Sequence, residues 1–90
     1  MKFTVGWTRS AEHDLARCWL EARDRHAIDE AVQRIEQELS SHPLDAGESR
    51  TGAMRILIVE PIAVFFSVRP DDRLVKVVQV TRRSTRGRSF

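Results

Sequence analysis

Apolar residues alternate with polar or small ones at the start of the chain. Phe3, Val5 and Trp7 fall on one face and Lys2, Thr4 and Gly6 on the other, which predicts a short strand from Lys2 to Trp7. From Ala11 the period changes. Ala11, Leu15, Cys18, Trp19 and Ala22 recur at helical spacing, while Glu12, Asp14, Arg17, Glu21 and Arg23 fall largely outside that stripe. Thr8 and Ser10 each offer a side-chain oxygen to cap the start of this helix. Asp24 offers the same for a second helix, in which Ile28, Ala31, Val32, Ile35 and Leu39 repeat the spacing. That helix ends near Ser41, because Pro43 pushes His42 out of helical geometry. The short break at Arg23 to Arg25 predicts an antiparallel helical hairpin laid on a sheet.

Pro43 to Gly52 reads as a loop, rich in Pro, Gly, Ser, Thr and Asp. Three strand patterns follow: Met54 to Glu60, Ile62 to Arg69 and Leu74 to Thr81. Glu60-Pro61 makes a tight junction between the first two, and Pro70-Asp71-Asp72-Arg73 supplies turn chemistry between the last two. The predicted fold class is α+β: an N-terminal strand, an antiparallel two-helix hairpin, then a three-stranded antiparallel sheet. These strands are apolar on both faces, whereas an antiparallel sheet in a small domain usually wets one. Helices cover one side only, so the second face implies a partner or self-association.

Composition adds scale and direction. Ninety residues make one domain, since so short a chain buries only roughly 60–65% of its unfolded surface. With 41% hydrophobic and 31% charged residues the chain is a folded protein rather than a disordered one. The net charge of +2 hides a split: residues 1–49 carry six Lys/Arg and ten Asp/Glu, residues 50–90 nine and three. A basic half of this kind steers a polyanion or an acidic partner segment. Cys18 is the only cysteine, so no intrachain disulfide forms. MKFTVGW lacks the apolar run of a signal peptide, and no segment approaches the roughly 20 apolar residues of a membrane span. The expectation is a cytoplasmic protein without membrane contact. Residues 82–90, RRSTRGRSF, form a basic tail with little to pack.

The ordered set of strand, helical hairpin and three strands carries the segments AEHDL, ESRTGAMR (Glu48 to Arg55), DRLV (Asp72 to Val75) and the closing Arg82-Arg83. This set resembles the RelE/ParE superfamily of type II toxin–antitoxin toxins, a group that includes plasmid stabilisation proteins, over nearly the whole chain. The resemblance implies a toxin silenced by a cognate antitoxin that adds helix or strand to its surface. It leaves the activity open between a ribosome-dependent mRNA endonuclease and, as the alternative, a gyrase inhibitor or a catalytically inactive binding module of the same fold. RelE-like members cut mRNA on the ribosome; ParE-like members inhibit DNA gyrase and carry no nuclease chemistry.

Metal-free RNA cleavage needs a base for the 2′-OH, cations for the crowded phosphate and an acid for the leaving oxygen. By the resemblance, Arg55 and Arg83 occupy the places of phosphate-stabilising arginines, and Arg50, Arg82, Arg86 and Arg88 are candidate RNA contacts. The usual C-terminal Tyr or His is missing: the chain has no tyrosine, and His13, His26 and His42 all precede the sheet. Glu48 is the one loop carboxylate available as a base. A structural reading stands beside each of these: Arg50 and Arg55 pair with Glu48 or Glu60, and Glu48 is an exposed loop acid. The sequence places Glu48, Arg50 and Arg55 at one loop-to-strand junction and expects Arg83 to join them. Three scattered histidines and a cysteine on an apolar stripe offer no metal-ligand spacing, and neither a metal nor another cofactor is expected.

Overall fold

A computed structural model describes residues 2–49, 52 and 54–83. The elements are β1 (Thr4–Trp7), α1 (Arg9–Glu21), α2 (Arg25–Ser41), β2 (Glu48–Ser49), β3 (Arg55–Val59), β4 (Ile62–Arg69), a 3-10 turn (Pro70–Asp72) and β5 (Leu74–Arg82).

Both helices start where their capping oxygens predict. The Thr8 hydroxyl accepts from Ala11 N at 3.0 Å and the Asp24 carboxylate accepts from Ala27 N at 3.1 Å, each satisfying a helix-end N–H that lacks an intrahelical partner. The end of α1 is closed from outside. Arg25 donates to the carbonyls of Trp19 (3.0 Å) and Leu20 (3.2 Å), and its guanidinium lies 4.6 Å from the Trp19 ring centroid.

The sheet has five strands in the order β1-β5-β4-β3-β2. The three strands expected from sequence, β3 to β5, pair antiparallel, and the α+β class holds; the whole sheet is larger and mixed, because β1 and β2 join its two ends. β1 runs parallel to β5, Thr4 opposite Leu74 and Trp7 opposite Val77, while the other pairings are antiparallel. A parallel pairing needs a long crossover; here the helical hairpin and three strands lie between the two partners. The fifth strand, β2, comes from within the segment read as a loop. Two residues carry no period, so its pairing, Glu48 with Ile56 and Ser49 with Arg55, was invisible as a pattern.

Register divides the sheet into two faces. Val64, Phe66, Val75, Val77 and Val80 join Ala11, Cys18, Ile28, Ala31, Ile35 and Leu39 in the core beneath the helices. Ile56, Ile58, Ala63 and Phe65 alternate with the helix-facing residues of β3 and β4 and therefore point to the other face, where Ile58 is 41% exposed. The two-sided apolar character expected from sequence holds there. On β5 that same face carries Lys76, Gln79 and Thr81, so it is polar. Between Phe65 and Phe66 the partner on β5 moves from Gln79 to Val77, leaving Val78 as the extra residue of a bulge. No helix among the described residues is long and apolar enough to cross a membrane.

Candidate functional site

The α2-to-β3 connection is tightly built. His42 closes α2 by donating to Glu38 O (2.8 Å), and its own carbonyl accepts from Asp45 N (3.1 Å) and Ala46 N (2.9 Å). Pro43 and Ala46 are buried. Gly47 adopts φ +68° and lies so close to β3 that a Cβ would sit on the Ile56 carbonyl oxygen; only glycine fits.

Arg55 locks this turn in place. Its Nε donates to Ala46 O at 3.2 Å, its Nη2 to Ala46 O at 3.0 Å and Gly47 O at 3.4 Å, and its Nη1 to Ser49 Oγ at 3.3 Å. The planar fork matches a cluster of carbonyls that a lysine could not bridge as completely. Loop oxygens, rather than Glu48 or Glu60, take its hydrogen bonds. Glu48 sits beside this knot on β2, exposed.

The remaining candidates lie elsewhere. Arg82, in β5, approaches Glu21 of α1 at 3.6 Å, an exposed pair that contributes little to stability. Arg83 is exposed, and its backbone N–H donates to Pro61 O at 2.7 Å. Arg55 stands opposite Phe66 of β4, five residues from Pro61 along the chain. At about 3.3–3.4 Å per strand residue, Arg55 and Arg83 are therefore roughly 17 Å apart along the sheet. The structure does not bring them together. Arg50, Arg86 and Arg88 lie outside the described residues, as does the tail beyond Arg83.

The histidines hold local positions: His26 faces Glu30 at 3.3 Å on the surface of α2, His13 is exposed on α1, and His42 caps α2. Cys18 is 6% exposed, and burial pushes its thiol pKa above the ordinary 9.0, with nearby Arg82 opposing the shift. A thiol of that kind is a packing group rather than a nucleophile.

Sequence reasoning passed over one feature. Between α1 and α2, on the side away from the sheet, lies an open apolar groove of about 730 Å³. Leu15, Ala16, Trp19, Leu20, Ile28 and Val32 line it, and Leu20 is 65% exposed. The signal was available: Leu20 falls off the core stripe, and Leu15 and Trp19 are only half-buried because they serve the groove as well as the core.

This fold is that of the RelE/ParE toxins. The chain superposes on the RelBE2 toxin–antitoxin complex of Mycobacterium tuberculosis with a TM-score of 0.76 at 19% identity, covering 92% of this chain and 93% of that one. A chromosomal ParDE toxin–antitoxin system of P. aeruginosa gives 0.66 at 24% identity, covering 91% and 97%. The isolated E. coli RelE toxin gives 0.65 at 13%, covering 97% and 87%. A search of curated proteins finds no match. The family model for the ParE toxin of type II toxin–antitoxin systems, parDE, matches residues 5–87, and the chain belongs to that family. It is a toxin of the type II toxin–antitoxin class.

Proposed function

We propose that this toxin acts by binding DNA gyrase and inhibiting it, without cutting RNA. The observation that carries this reading is the engagement of Arg55. A phosphate-stabilising arginine must present its donors to the ligand, whereas this guanidinium is turned to Ala46 O, Gly47 O and Ser49 Oγ. The separation of Arg83 from Arg55 and the absence of tyrosine support the same reading. Glu48 then acts as an edge-strand carboxylate, not as a general base.

The antitoxin's binding place in this reading is the groove between α1 and α2, which suits an amphipathic segment whose apolar residues recur at helical spacing. Inducing the chain alone in cells tests the proposal from one culture. Relaxed plasmid DNA with intact transcripts is the expected result. New transcript ends with normal plasmid supercoiling would return Glu48, Arg55 and Arg83 to catalytic roles on mRNA, with Arg50, Arg82, Arg86 and Arg88 as RNA contacts.

A further inference from the structure

The groove between α1 and α2 is lined by apolar side chains and by one acid from each helix. Glu12 of α1 and Asp29 of α2 line it together with Gln33, and no lysine or arginine is among the lining residues. Both carboxylates are exposed, and among the described residues neither enters a salt bridge. Arg25, at the Leu20 end, is already engaged. Its guanidinium donates to the Trp19 and Leu20 carbonyls and lies 4.6 Å from the Trp19 ring centroid. That contact holds the Trp19 side of the groove in shape before a partner arrives, which removes an ordering cost from binding. From Glu12 to Leu20 the helix rises roughly 12 Å at 1.5 Å per residue. An apolar triad at i, i+4 and i+7 of a docked helix spans roughly 10 Å, so the groove holds one triad and the flanking positions lie within reach of the acids.

We infer that the groove takes a basic amphipathic helix: a partner segment with one apolar triad at helical spacing and Lys or Arg on both sides of it. This rests on the reading of the groove as the antitoxin's binding place and adds the chemistry of the segment that fits. Apolar burial supplies the affinity, and the acids supply the selection. An acidic flank would set like charges together beside an apolar surface and be rejected, whereas a basic flank meets two carboxylates that have no other cation. The helices of a second copy carry the wrong sign, since α1 and α2 each hold more acids than Lys and Arg. The chain's own basic stretch, residues 82–90, has the charge but not the triad, because Phe90 is its only apolar residue.

Three synthetic helical peptides of about 15 residues test this on the full chain. They share one leucine triad at i, i+4 and i+7 and differ only in the flanks, which are lysine, glutamine or glutamate. Methyl NMR at Leu20 and Val32 reads affinity and place of binding together. The lysine peptide should bind at least about fivefold tighter than the glutamine peptide and the glutamate peptide weakest, a preference that shrinks as salt is raised. In the Glu12→Lys/Asp29→Lys double variant the order should reverse. Glu12→Gln/Asp29→Asn, which keeps the size of both side chains, should bring the three affinities together, and it stands in if the lysine variant does not fold. Equal affinities in the wild type, with both methyl signals shifting, would overturn the selection for a basic segment and leave the groove reading standing. Peptides that leave both methyl signals unmoved would overturn the groove reading and this inference with it. Methyl shifts that grow with the concentration of the chain alone would assign the groove to a second copy and overturn the inference as well.

Discussion

Arg55 illustrates how position and role separate at the scale of one residue. A cation at a loop-to-strand junction invites a phosphate, yet three of its nitrogens serve three oxygens of the preceding turn. The two roles predict different effects on stability. As a turn-holding residue, Arg55→Ala should lower unfolding free energy by about 1–3 kcal/mol, because the carbonyl of buried Ala46 is left without its donors. An anion-binding arginine would leave the denaturant midpoint unchanged. Gly47 belongs to the same knot. Gly47→Ala places a methyl group against the Ile56 carbonyl at positive φ, and equilibrium urea unfolding should show a loss of about 2 kcal/mol or more. Neither contact could be read from sequence, since both join residues through a backbone path that composition does not specify. The Gly and Pro of the segment announced a turn but not its shape.

Among the elements, the helices were legible almost to the residue. Thr8 and Asp24 are followed by apolar stripes of the right period, and Pro43 marks where the second stripe must stop. Thr8 has a second task, since its hydroxyl reaches Val78 O as well as capping α1. Thr8→Ala should therefore cost about 1–2 kcal/mol, more than Asp24→Ala at about 1 kcal/mol, a difference that ranks the two in thermal melts. β4 was read with its full extent, Ile62–Arg69, because a buried central strand is a continuous apolar run. β2 escaped because two residues hold no alternation, and the parallel partnership of β1 escaped because pairing between chain ends leaves no local trace. The hairpin groove escaped for a different reason: a helix that serves both a core and an outer groove blurs its own stripe. Leu20→Glu should weaken antitoxin binding at least about tenfold in titration calorimetry while leaving the melting temperature unchanged, since the side chain is 65% exposed.

Across the whole molecule, an acidic first half of the chain is followed by a basic second half. The split was visible in sequence, and so was the family, because an ordered set of elements and short segments survives where single motifs do not. The arrangement of the proposed nuclease groups was not. The sequence drew Glu48, Arg55 and Arg83 to one junction, whereas strand register sets Arg83 beside the start of β4 and Arg55 beside its middle. What remains is a toxin whose groove is suited to binding. In the proposed mechanism, binding to gyrase rather than RNA cleavage is the toxic act. Purified chain added to a DNA gyrase supercoiling reaction tests this most directly. Supercoiling should fall as the chain is titrated in, and antitoxin should restore it. Undiminished supercoiling, from a preparation that cuts mRNA on programmed ribosomes, would contradict that mechanism.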